Sequence, residues 1–144
     1  MSPLKIATMQ DKLIRLAHNI DFIEDILKKP DYEIIKDMPL FYGLEHMLQI
    51  SIEIILDIGN HILVEQFKQS PKDYSDTIVL LGKNGIVDND FAALHVAMVG
   101  FRNLLVHEYD FIKEDKVLEY ARKAPGVFRQ FGKNFSDFLE KNKV

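Results

Sequence analysis

The 144-residue chain contains no cysteine, which excludes disulfides, thiolate metal sites and cysteine nucleophiles and fits a reducing cytoplasm. No run approaches the roughly 18 uncharged apolar residues of a membrane span. The start, Met-Ser-Pro-Leu-Lys-Ile, leads into a charged amphipathic pattern and not a secretory apolar region. The expectation is a cytoplasmic protein with no membrane partner. A glycine-rich phosphate loop is also missing, because Gly82-x-x-Gly85 has neither the following lysine nor a strand before it. The histidines His18, His46, His61, His95 and His107 form no His-x3-His pair, so without cysteine no metal site or other cofactor is expected. Ser51 and Ser136 lack a nucleophile-elbow context. Metal-free acid–base chemistry is what these absences leave.

What is present is the balance of a folded protein: 47% apolar and 28% charged residues in 16.7 kDa imply one domain over residues 1–144 with a core of its own. A net charge of −4 and a pI near 5.7 argue against a general nucleic-acid binder held by counterion release. The charge is uneven, however. Arg122, Lys123, Arg129, Lys133, Lys141 and Lys143 face only Asp137 and Glu140 in the last 24 residues, a basic tail that could guide RNA towards a cleft or simply be a solvated helix face.

No convincing strand pattern appears, and the apolar periodicity predicts an all-α, up-and-down helical bundle with short accessory helices. A first helix runs from Pro3 to about Lys28 on a stripe of Leu13, Leu16, Ile20, Ile23 and Leu27, with Phe22 and Ile26 widening its apolar surface. One turn is possible at Glu33–Asp37. The second long helix spans about Leu40 to Phe67, with Ile50 and Ile52 off its inward stripe and Gly59 marking a close helix approach. Ser70-Pro71 opens a short third helix from Lys72 to Lys83, which Asn84-Gly85 ends. Asp88 or Asn89 caps a fourth helix that runs to the His107 region. A fifth begins at Lys113, and Pro125-Gly126 is expected to break or kink it before a last segment, Val127 to Lys141, whose phenylalanines read as core.

The chemistry gathers between Met98 and Asp110, where an apolar run carries Arg102, Asn103 and His107, with Tyr109 two residues on. At about 100° per residue, Asn103 and His107 nearly share a face, and Arg102 stands roughly 140° from His107. Arginine offers a rigid cationic fork suited to phosphate, histidine can pass a proton near neutral pH, and asparagine can orient either. A bland alternative remains open: Arg102 pairing with Glu108 or Asp110, and His107 capping the last carbonyls of its helix. His95, seven residues before Arg102, is placed to support it or to be an ordinary core or surface histidine; His61 reads by itself as a half-buried or surface histidine.

The stretch Arg102-Asn103-Leu-Leu-Val-His107-Glu-Tyr109, with Tyr42-Gly43-Leu44-Glu45-His46-Met47-Leu48-Gln49, Ile58-Gly59-Asn60-His61 and Pro71-x-x-Tyr74, resembles the HepT-like branch of the HEPN superfamily over roughly Leu4 to Leu139. That resemblance implies a helical ribonuclease toxin, acting as a homodimer, that cleaves RNA without metal through Arg102 and His107, with Asn103 in support. It also implies a minimal nucleotidyltransferase antitoxin as partner, transferring AMP to Tyr109. The runner-up is a non-catalytic binding or regulatory partner of such a nucleotidyltransferase. A third reading, a purely structural helical dimer, predicts that the polar edge is internally paired.

Overall fold

Thirty residues from Met38 to Phe67 form α3, the axis of the bundle. Its neighbours are seen in a computed structural model that describes residues 4–107 and 113–143. Around it stand α1 (Ile6–Ile26), α2 (Asp31–Lys36), α4 (Tyr74–Lys83), α5 (Asn89–His95), α6 (Ala97–His107) and α7 (Glu114–Lys141), with no strand among the described residues. The all-α bundle expected from periodicity is what forms. α1, α2, α4, α6 and α7 all contact α3, which explains why its burial exceeds one stripe. Ile52, expected off the stripe, is fully buried, as are Leu44, Leu48, Ile55, Ile58 and Ile62. α3 has the length and hydropathy of a membrane-crossing helix, yet 56% of that window is buried inside the bundle.

Local chemistry sets most helix ends. Asp37 accepts from the Leu40 amide, Asp73 from Asp76 and Asp88 from Phe91, so three aspartates cap α3, α4 and α5. The cap of α4 is Asp73, not the Ser70-Pro71 pair, and the helix starts at Tyr74. Gly85 closes the following turn at φ 73°. Gly59 does mark a close approach, but to α4: a Cβ there would lie 2.8 Å from Leu81 Cδ1. His61 turns the other way, and its Nε2 accepts from the Lys5 amide at 3.3 Å.

The helix breaks fall elsewhere than expected. α7 runs unbroken through Pro125, although an interior proline loses a hydrogen bond and costs about 3 kcal/mol. The burial of Ala121, Ala124, Pro125, Phe128, Phe131, Phe135 and Leu139 along one face supplies more than that penalty, at about 1.5–3 kcal/mol for each large side chain. Conversely, the expected fourth helix is two. At Val96 the ladder tightens into a turn in which the Val99 amide donates to the Val96 carbonyl, separating α5 from α6.

Two of the basic residues of α7, Arg122 and Arg129, are spent on the bundle. Arg122 donates to Asp31 and to the carbonyls of Leu27 and Lys29, tying off the end of α1. Arg129 forks onto Glu24, whose carboxyl is thereby held below its ordinary range, chiefly by that hydrogen bond. An RNA-guiding role for these two arginines loses its support.

Candidate active site

Met98, Val99 and Leu105 are buried and anchor α6, which fixes where its polar residues point. The helix is continuous from Ala97 to His107, so Arg102 and His107 lie about 7.5 Å apart along the axis. His107, at the last position, is exposed, as is Asn103. Neither is sealed in the interior.

Arg102 turns inward instead. Its side chain is 16% exposed and meets Glu53 of α3, itself 27% exposed. Nε and Nη2 donate to the same Oε2 at 2.9 and 2.6 Å, while Nη1 donates to Asn103 Oδ1 at 3.2 Å. The guanidinium carbon lies 5.3 Å from the centre of the Tyr74 ring, within cation–π range. Arg102 and Asn103 are therefore brought together. Among the described residues the partner of Arg102 is Glu53; the local acids Glu108 and Asp110 lie outside the described residues.

The carboxylate continues into a polar line on α3. Gln49 donates to Glu53 at 3.5 Å, and Asp57 follows one turn on. Burial pushes the Asp57 carboxyl above its ordinary range; Lys12 and Arg102 oppose this and Glu53 adds to it. These acids form one wall of a groove of about 420 Å³ between α1 and α3, opposite Lys12 and Arg15. Among the described residues, no group of three His, Asp or Glu side chains is placed to hold a metal ion.

Other candidates fall elsewhere. The turn at Val96 interrupts the register between His95 and Arg102, and His95 packs its ring on Phe91 at 4.5 Å, where burial lowers its pKa. Tyr109 lies outside the described residues. Sequence reading missed Glu53 and the contact of Tyr74 with Arg102. A signal existed for the first, since Gln49, Glu53 and Asp57 recur every four residues in an otherwise oily helix, a polar stripe that a buried helix has no reason to carry.

An all-α bundle with this edge defines a class, and comparison with known proteins names it. A family model described as ribonuclease HepT-like matches residues 16–135, and the chain belongs to that family. The mRNA nuclease HepT of Shewanella oneidensis is 32% identical over 84 residues, 58% of this chain and 63% of that one. The tRNA nuclease HepT of Aphanizomenon flos-aquae is 36% identical over 75 residues, 51% of this chain and 50% of that one. The matched stretch thus spans less than two thirds of each of these two relatives. A solved tri-AMPylated Shewanella oneidensis HEPN toxin in complex with MNT antitoxin has the same fold, with a TM-score of 0.82 and 25% identity over 95% of this chain and 99% of that one.

Proposed function

We propose that this protein is the toxin of a HepT–MntA-like toxin–antitoxin pair and cleaves RNA endonucleolytically without a metal ion. The observation that carries the reading is the Arg102 guanidinium, fixed in orientation beside Asn103, on the same helix that presents an exposed His107 at its end. His107 moves the proton of the ribose 2′-hydroxyl or of the leaving oxygen, and the 2′-oxygen attacks its own phosphate. Arg102 stabilises the charge that develops on the phosphoryl group. The P–O5′ bond breaks as the P–O2′ bond forms, leaving a cyclic phosphate and a 5′-hydroxyl; DNA lacks the attacking group. In a homodimer, two His107 side chains across one cleft would supply an acid and a base. The exposed Ile14 and Phe22 of α1 are apolar surface that a second copy could cover.

The tri-AMPylated state of the Shewanella oneidensis toxin supports a regulatory reading: transfer of AMP from ATP to Tyr109, two residues after His107 in the sequence, by a nucleotidyltransferase antitoxin would add negative charge and bulk and repel RNA phosphates. Co-expression with such an antitoxin should add AMP masses to wild-type protein and not to Tyr109→Phe. The test of the nuclease itself is the rate at which purified wild type, Arg102→Ala and His107→Ala cleave an RNA pool in EDTA. Losses of about 10²–10⁴-fold in both variants are expected, and equal rates would refute the reading.

A non-catalytic partner of a nucleotidyltransferase is the second reading, favoured by one observation: the Arg102 charge is already balanced by Glu53. It predicts antitoxin binding by all three proteins and RNA cleavage by none.

A further inference from the structure

We infer that Glu53 is a positioning residue for Arg102, holding the guanidinium so that one N–H on each terminal nitrogen is kept for the RNA phosphate. The inference rests on the nuclease reading above and adds to it a residue on a different helix. A guanidinium has five N–H donors in a rigid plane. Glu53 Oε2 takes one from Nε and one from Nη2, and Asn103 takes one from Nη1. Among the described residues, two N–H groups are left over, one on Nη1 and one on Nη2, the nitrogens that can approach a phosphate from the end of the side chain. Glu53 takes the Nε side of the group and so leaves one N–H on each terminal nitrogen. The Tyr74 ring, its centre 5.3 Å from the guanidinium carbon, adds a second contact that holds the group before any substrate arrives.

The position of Glu53 also makes a structural role alone a poor explanation. It interrupts a helix whose neighbouring Ile52, Ile54, Ile55 and Leu56 are all buried, and its carboxylate points at Arg102 and Gln49. A carboxylate beside a phosphate-binding arginine weakens the attraction for RNA, because it cancels the cation. That cost is reasonable only if orientation matters more to the reaction than raw affinity, since misplacing a reacting group by about 1 Å can cost about 100-fold in rate. Orientation and affinity should therefore move in opposite directions when the charge is removed.

The experiment compares wild type, Glu53→Gln, Glu53→Ala, Arg102→Ala and His107→Ala on one RNA substrate, measuring kcat and KM separately and correcting for the folded fraction by circular dichroism. Glu53→Gln keeps the shape and one acceptor oxygen. Positioning predicts that its kcat falls about tenfold and that of Glu53→Ala about 100-fold, while KM stays constant or falls because a negative charge has left the site. Unchanged kcat in both Glu53 variants, with Arg102→Ala and His107→Ala inactive, overturns this inference and leaves the nuclease reading standing. A loss that tracks only the folded fraction overturns it as well. If Arg102→Ala and His107→Ala cleave as wild type does, the nuclease reading fails, and the inference with it.

Discussion

Arg102 and Glu53 stand 49 positions apart in the chain, and two N–H groups of one converge on a single oxygen of the other. Both side chains are mostly shielded from water, so this pair is not one of the exposed bridges that contribute little. A double-mutant cycle of Arg102→Ala and Glu53→Ala, read by urea unfolding, should return a coupling energy of about 1–3 kcal/mol. A coupling near zero would mean that the contact does not persist in solution.

Gly82 packs α4 against α5 with no room to spare. A Cβ there would meet Ala92 Cβ at 2.7 Å and Asn89 Cα at 3.2 Å, neither of which can swing away. Gly82→Ala should destabilise by about 1–3 kcal/mol, against a helix-propensity gain of up to about 1 kcal/mol. Gly126, with nothing within 4 Å of its would-be Cβ, provides the contrast. Gly126→Ala should stabilise by up to about 1 kcal/mol, and denaturant midpoints for the two variants should move in opposite directions.

Ser51 is fully buried in α3, and its hydroxyl has no hydrogen-bond partner among the described residues. A buried donor left unmade costs about 1–3 kcal/mol. Ser51→Ala should therefore raise stability by roughly 1 kcal/mol, with RNA cleavage unaltered; a loss of stability would reveal a partner for the hydroxyl.

Burial raises the Asp57 carboxyl above its ordinary 3.8, so the folded state holds that proton more tightly than the unfolded chain. The stabilisation this gives is complete below the unfolded pKa and is lost as pH rises through the folded one. At neutral pH the ionised carboxylate is thus a liability. Asp57→Asn should melt higher than wild type at pH 7, and the difference should shrink as pH falls through the titration of Asp57. A difference that grows on acidification would reverse the assignment.

Much of this was legible in the sequence, and the failures share a cause. Periodicity located α1, α3 and the phenylalanine face of α7 because each buries a repeating apolar stripe, and Asp88 marked a helix start because its carboxylate bonds to a free amide of the first turn, whereas the caps Asp37 and Asp73 had no such reading. Pro125 misled because local backbone cost was weighed without the buried aromatics that offset it. Val96 gave no warning because nothing in its composition distinguishes a tightened turn from another helical residue. At the site, Arg102, Asn103 and His107 were visible as polar residues in an oily run. Glu53 left a trace in the Gln49, Glu53, Asp57 stripe, but its partner was hidden by distance: only the crossing of α3 and α6 brings it to Arg102.

In the reaction proposed above, the 2′-oxygen of RNA attacks its own phosphate, with Arg102 and His107 as the protein groups responsible. The most direct measurement is the chemistry of the new ends after a purified RNA pool is incubated in EDTA with wild type and with His107→Ala. Cyclic phosphates paired with 5′-hydroxyls in the wild-type reaction, and neither with His107→Ala, are the predicted result. Ends bearing a 5′-phosphate, cleavage that EDTA abolishes, or the same products in equal yield from His107→Ala would rule this reaction out.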